Sequence, residues 1–160
     1  MRNLLTGNVG GVNELALDRQ VCFALYAASR AVTQLYRPLL DELGVTYPQY
    51  LVLLVAWERG PVTVSELGTA LDLDSGTLSP LLKRLEAAGL VTRSRRAADE
   101  RSVEIRLTAD GDRLRERAAT VPRKIAKATG LRAAELAELR RTLIALTQVV
   151  GAQRLIPDES

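Results

Sequence analysis

The chain contains no histidine and a single cysteine, Cys22, among its 160 residues. The missing histidines remove the commonest general base and the commonest zinc ligand at once. One cysteine without histidine rules out a structural zinc site and an intrachain disulfide. No P-loop and no GxGxxG segment is present, and a hydrolytic triad would lack its histidine base. We therefore assign no catalytic residue, no metal and no cofactor. Aromatic residues make up only 4% of the chain. No run of about 18 uncharged apolar residues occurs, and Met1-Arg2-Asn3 leads into no signal-peptide core, so a cytoplasmic protein without a membrane partner is expected.

What is present is leucine and alanine in quantity, a helical composition. The length suits one domain with a real core, or one domain plus extensions that need a partner. The net charge of +3 and pI near 9.3 permit nucleic-acid binding without proving it. Its distribution says more. Residues 1–61 carry five basic and five acidic side chains, 62–91 two and four, 92–111 five and four, and 112–160 ten and six.

The organising stretch is Val62 to Val91. Within it Leu78, Leu81, Leu82 and Leu85 fall at i, i+3, i+4 and i+7, one face of a helix. Val64, Leu67 and Leu71 form a shorter stripe before it, ending at the Leu71-Asp72-Leu73-Asp74 corner. Two short helices across such a corner read as a helix-turn-helix. Its second helix would enter the DNA major groove, offering Ser75, Gly76, Thr77, Ser79, Pro80, Lys83 and Arg84. Pro80 fits poorly if the helix is capped at Asp74, and a cap at Ser75 or Thr77 would ease it. Gly89 closes the helix.

Thr92 to Leu107 reads as a β-hairpin, with Val103, Ile105 and Leu107 alternating with Ser102, Glu104 and Arg106. Its tip is charged and has no apolar anchor. A helix-turn-helix followed by a charged hairpin is a winged helix, whose wing contacts the DNA backbone or minor groove. Arg93, Arg95, Arg96, Asp99 and Arg101 are the wing candidates. Because 62–91 is net acidic, these arginines are expected to supply much of the electrostatic grip.

Apolar residues recur at steps of three and four from Leu17 to Leu39, predicting a helix from about Glu14 to Leu43, with Pro38 kinking or breaking it near Arg37 and Gly44 ending it. Pro48 can open the next helix, whose run Tyr50 to Trp57 implies burial on most sides before Arg59-Gly60-Pro61 ends it. Val62 and Thr63 could add a short strand. Thr108 is a plausible N-cap for a helix in which Pro122 should introduce a bend. Leu136, Leu139, Leu143, Leu146 and Val150 then make an a/d seam. The winged core does not need both terminal helices for its own burial, so a second copy is the simplest partner for their stripes.

Cys22 falls near the start of the first helix, where the dipole favours a thiolate, with Tyr26 at i+4 on the same face. Tyr36 lies roughly 21 Å further along at 1.5 Å per residue, so it reaches Cys22 only through a kink or from another subunit.

The stretches CFALYAASRAVTQLYRPLLDELGVTYPQYLVLLVAWE, VTVSELGTALDLDSGTLSPLLKRLEAAGLVTR and ADERSVEIRLTADG resemble the MarR family, and within it the organic-hydroperoxide-sensing repressors of the one-cysteine type. The resemblance implies a mainly α fold with a small β wing. In it a winged helix-turn-helix domain (48–108) is flanked by helical dimerisation segments (14–47 and 109–153), with a disordered tail at 1–13 and a second tail at 154–160. It implies a homodimeric repressor on a pseudo-palindromic double-stranded operator, with Cys22 as the redox sensor. By the same resemblance Tyr36 and Tyr47 would be supplied by the partner subunit to support the thiolate, with Tyr26 a further candidate from its i+4 spacing. Asp99 and Arg101 match the family's wing motif, with the arginine entering the minor groove. Some members carry a second cysteine that forms an intersubunit disulfide; this chain has none. Organic hydroperoxides and a small cellular thiol are then the reactants, and the sulfenic acid ends as a mixed disulfide or is over-oxidised. Two other readings compete: a repressor released by a small phenolic ligand, and a one-cysteine thiol peroxidase.

Overall fold

The computed structural model describes residues 15–96 and 99–152. Both tails therefore fall outside the described residues. A 3₁₀ turn, Leu17–Arg19, precedes α1 (Val21–Asp41), α2 (Tyr47–Arg59), β1 (Val62–Thr63), α3 (Val64–Leu71) and α4 (Ser75–Ala87). The wing strands β2 (Val91–Arg96) and β3 (Asp99–Leu107) follow, then α5 (Ala109–Ala118), α6 (Val121–Ala128) and α7 (Ala133–Ala152).

Three proline and boundary expectations need correction. The first helix begins at Val21 instead of about Glu14, because the chain enters through the 3₁₀ turn. Pro38 does not end it; α1 runs on to Asp41. A proline this close to a C-terminus forfeits a single hydrogen bond, and Gly44, at φ 73°, completes the stop where Val45 N–H bonds back to the Leu40 carbonyl. Pro122 bends nothing: it occupies the first turn of a separate helix, α6, where its missing N–H has no helical partner to lose.

Local chemistry sets the other starts. Thr46 and Gln49 form a capping box that opens α2 around Pro48, and Thr63 with Glu66 does the same for α3. Asp74 caps α4. Pro80 thus sits at the sixth residue of the recognition helix, against the expectation that a later cap would spare it. It is exposed, so the one carbonyl it leaves unpaired faces the wet side of the helix.

The three strands form an antiparallel sheet in the order β1-β3-β2, with Val62 opposite Ile105 and Val91 opposite Leu107. Strand β3 departs from simple alternation. Glu104, on its polar side, is buried at 6% exposure, because it faces Thr63 and Ser94 in the central strand and pairs with Arg106 Nε at 2.6 Å.

The core lies between α2, the helix-turn-helix and the sheet. Val52, Leu53, Leu67, Leu78, Leu85 and Ile105 are all fully enclosed. The leucine stripe of α4 supplies Leu78, Leu82 and Leu85 to it, with Leu81 at the margin. The terminal helices differ. Helix α7 buries no residue, and α1 buries only Leu40, near its end. Leu139, Leu143, Ile144, Leu146, Val149 and Val150 lie open on α7.

Candidate redox and nucleic-acid sites

Cys22 is the second residue of α1 and is exposed. Tyr26, one turn on, is exposed too, and its hydroxyl accepts a hydrogen bond from Arg30 at 3.1 Å. The same guanidinium stands 5.5 Å from the Tyr26 ring centroid, within cation–π range.

Tyr36 and Tyr47 come together. Their ring centroids are 4.8 Å apart, one ring rising from the C-terminal half of α1 and the other from the first residue of α2. The cause is the Gly44 turn, which folds the start of α2 back beside α1. Burial pushes the Tyr36 phenol above its ordinary pKa, and the neighbouring Tyr47 and Tyr50 hydroxyls add to the shift. Two concavities flank the pair. A groove of about 1000 Å³ between α1, α6 and α7 is walled by apolar residues including Val32, Leu35, Ile125 and Leu143, and Tyr36 lies in it. A pocket of about 580 Å³ between α1 and α2 is lined by Arg30, Arg37, Gln34 and Tyr47. Within this one chain, Cys22 and the tyrosine pair sit near opposite ends of the same helix.

The recognition helix presents Ser75, Gly76, Thr77, Ser79, Pro80, Lys83 and Arg84, all exposed. Two of its hydroxyl protons are already engaged. Thr77 Oγ1 donates to the capping Asp74 at 2.9 Å, and Ser79 Oγ donates to the Ser75 carbonyl at 2.7 Å. Both oxygens keep lone pairs as acceptors. The Thr77 bonds hold the Asp74 carboxyl below the usual range. On the wing, Arg93 is tied to Glu86 of α4 at 2.6 Å, so part of its charge is neutralised within the chain. Arg95 is exposed. The side chains of Arg96, Asp99 and Arg101 lie outside the described residues. Among the described residues no group of three or more acidic, cysteine or histidine side chains could hold a metal ion.

A family model described as MarR family matches residues 45–103. The organic hydroperoxide resistance transcriptional regulator of Bacillus subtilis (strain 168) is 47% identical over 138 residues, covering 86% of this chain and 94% of the relative. The chain belongs to the MarR family. Among solved structures, reduced AbfR bound to DNA superposes with a TM-score of 0.72 at 39% identity, over 84% of this chain and 92% of that one. Overoxidized AbfR bound to DNA gives 0.65 at 42%, over 81% and 95%. This MarR-family chain is thus a winged-helix, DNA-binding transcriptional regulator homologous to the hydroperoxide resistance regulator. The 45–103 match spans α2 to β3 and so contains Tyr47, the recognition helix and most of the wing. Cys22, Tyr26 and Tyr36 lie outside that segment.

Sequence reasoning missed Arg30 as a partner of Tyr26 and the Glu86–Arg93 pair. The i, i+4 spacing of Tyr26 and Arg30 was a usable signal. The Glu86–Arg93 pair crosses a helix–strand corner, which no local pattern reports.

Proposed function

We propose that this MarR-family regulator is a repressor that senses organic hydroperoxides through Cys22 and releases its operator when that cysteine is oxidised. The observation that carries this is the pairing of Tyr36 with Tyr47 at the far end of the helix whose first turn exposes the only cysteine. Two phenols held together form a donor pair suited to a thiolate. The helix geometry denies them their own Cys22, so the thiolate they meet is the partner's. The second copy packs along α1 and α7, whose open apolar faces and intervening groove give it a surface to bury. Residues 14–47 and 109–153 form this dimerisation layer and 48–108 the DNA-reading unit.

The chemistry balances without a further cofactor. The Cys22 thiolate attacks a peroxide oxygen, an S–O bond forms, the O–O bond breaks, and the alkoxide takes a proton to leave as an alcohol. The sulfenic acid then condenses with a small cellular thiol, forming an S–S bond and releasing water, or is oxidised again by a second hydroperoxide. One equivalent of hydroperoxide is consumed per cysteine on the mixed-disulfide route and two on over-oxidation, a stoichiometric response that makes this a switch and not an enzyme. The larger, differently bonded sulfur disturbs the tyrosine pair, and the shift changes the spacing of the two recognition helices, which must match half-sites about one DNA turn apart. Ser75, Gly76, Thr77, Ser79, Lys83 and Arg84 read the major groove, with Pro80 alongside. Arg93, Arg95, Arg96 and Arg101 grip the flanking backbone and minor groove, with Asp99 in the wing motif. The protein acts in the cytoplasm, where its DNA is.

The test is a gel shift on DNA upstream of the regulator's own gene, with and without an organic hydroperoxide, at stated salt. Wild type is expected to release DNA on treatment and C22S to stay bound. Release of C22S under the same treatment would remove Cys22 from the sensor role.

A further inference from the structure

The tyrosine pair continues inward. Tyr36 lies 6.1 Å from Tyr50, and Tyr50 lies 6.2 Å from Trp57 in an edge-on arrangement, centroid to centroid. Tyr50 is 2% exposed and Trp57 9%. From the end of this row the indole Nε1 of Trp57 donates a buried hydrogen bond of 2.9 Å to the carbonyl of Gly111, in the first turn of α5. Gly111 in turn lies hard against the corner where the recognition helix gives way to the wing. A Cβ on it would fall 2.0 Å from the Leu90 carbonyl oxygen. The same corner is held from α5's cap, since Thr108 N–H donates to the Leu90 carbonyl at 3.1 Å and Thr108 Oγ1 to the Gly89 carbonyl at 2.6 Å. Leu90 N–H closes α4 on the Leu85 carbonyl. An unbroken set of contacts thus runs from the tyrosines through α2 and the start of α5 to the end of the recognition helix.

The other end of α5 is tied as well. Arg117 donates to the carbonyl of Glu42, one residue beyond the end of α1, at 2.6 Å. Helix α5 is therefore fastened at its first turn to α2 and the recognition-helix corner, and at its last turn to the helix that carries Cys22 and Tyr36.

We infer that Trp57 and Arg117 are positioning residues that make α5 the lever between the tyrosine pair and the recognition helix. They touch neither peroxide nor DNA. They convert a displacement of Tyr36 and the α1 terminus into a displacement of the Gly89–Leu90 corner. Packed interiors shift between discrete arrangements and do not deform smoothly, so a lever pinned at both ends passes a small shift on. The inference rests on the sensor reading above.

The experiment compares operator affinity of reduced and hydroperoxide-treated dimer for wild type, W57F and R117Q, and follows Cys22 oxidation separately by thiol titration. Phenylalanine keeps the ring in its buried place but has no N–H, and the Gly111 carbonyl retains its helical bond, since a carbonyl can accept two. Arg117 is exposed, so R117Q tests the other pin without entering the core. Both variants are expected to oxidise at the wild-type rate while the oxidised-to-reduced ratio of Kd shrinks by about tenfold, a normal size for coupling between sites. A purely structural role would weaken both affinities together and leave the ratio unchanged. If wild type releases DNA and both variants release it by the same factor, the lever is wrong and the sensor reading stands. If wild type itself keeps its operator after Cys22 is oxidised, the two fall together. Trp57 is the chain's only tryptophan. Its emission reports on the lever without any substitution there, and should change on oxidation of wild type and not of treated C22S. Unchanged emission in oxidised wild type would also overturn the inference.

Discussion

Replacing Gly111 with alanine sets two effects of opposite sign against each other. Gly111 is the third residue of α5, and in a helix alanine is better than glycine by about 1 kcal/mol. Against this, the new Cβ would stand 2.0 Å from the Leu90 oxygen, 3.0 Å from the Leu90 carbon and 3.3 Å from a Leu107 methyl. The closest atom is backbone, so no rotamer change relieves it. A carbon meets a carbonyl oxygen at about 3.3 Å or more, so α5 and the Leu90 corner must part by more than 1 Å. Overpacking of this kind costs roughly 1–3 kcal/mol or more. The separation also stretches the Thr108 hydrogen bonds to the Gly89 and Leu90 carbonyls, each worth about 1 kcal/mol net. The clash outweighs the propensity, and G111A should lose on the order of 2–3 kcal/mol. At roughly 3 °C per kcal/mol for a chain of this size, its Tm should fall by about 6–9 °C. Urea unfolding at equal protein concentration is the assay, with an unchanged m-value as the control for two-state behaviour. A variant as stable as wild type, or about 1 kcal/mol more so, would show that the Gly111–Leu90 approach does not constrain the fold.

Leu143→Glu on the open face of α7 should convert the proposed dimer to monomer in sedimentation at micromolar concentration and weaken operator binding; a dimer of wild-type strength would place the interface elsewhere. Asp74→Ala should speed hydrogen exchange at the Thr77 amide and reduce operator affinity, while Asp74→Asn, which keeps an acceptor, should do neither. Burial, first of all, raises the Tyr36 and Tyr50 phenols above the ordinary tyrosine pKa of about 10. The stability they contribute is present below pH 10 and lost as pH rises through their folded values. Phenolate absorbance should therefore show Tyr36 and Tyr50 titrating late, and stability should decline in that same alkaline window. Ordinary titration of both would mean that the aromatic row is open to solvent.

Elements whose cause is local were legible in the sequence. The leucine stripe of α4, the Thr108 cap, the hairpin and the a/d seam of α7 each follow from a period or a capping residue within a few positions. The prolines were harder. Pro38, Pro80 and Pro122 all carry the same steric rule, but its outcome depends on the distance to a helix end, and that end is set by Gly44, Asp74 and the break at Ala119–Thr120. Glu104 read as a solvated position because alternation cannot see that β3 is the central strand. At the candidate site, Cys22 and the tyrosines stood out as scarce residue types. The bonds from Trp57 to Gly111 and from Arg117 to Glu42 join residues 54 and 75 positions apart, and no sequence pattern reports such pairs.

Helix α7 has 20 residues and buries none of them within its own chain. In proteins most helical stability comes from packing an apolar face, and on α7 that face is largely open, so in the proposed dimer part of the free energy that keeps α7 folded comes from association. Folding and assembly then obey one mass-action law, and the melting temperature should rise with protein concentration. At low copy number in a cell, the helices that complete the sensor would be among the first parts lost, making the number of molecules present a second variable, beside peroxide, to which the operator responds.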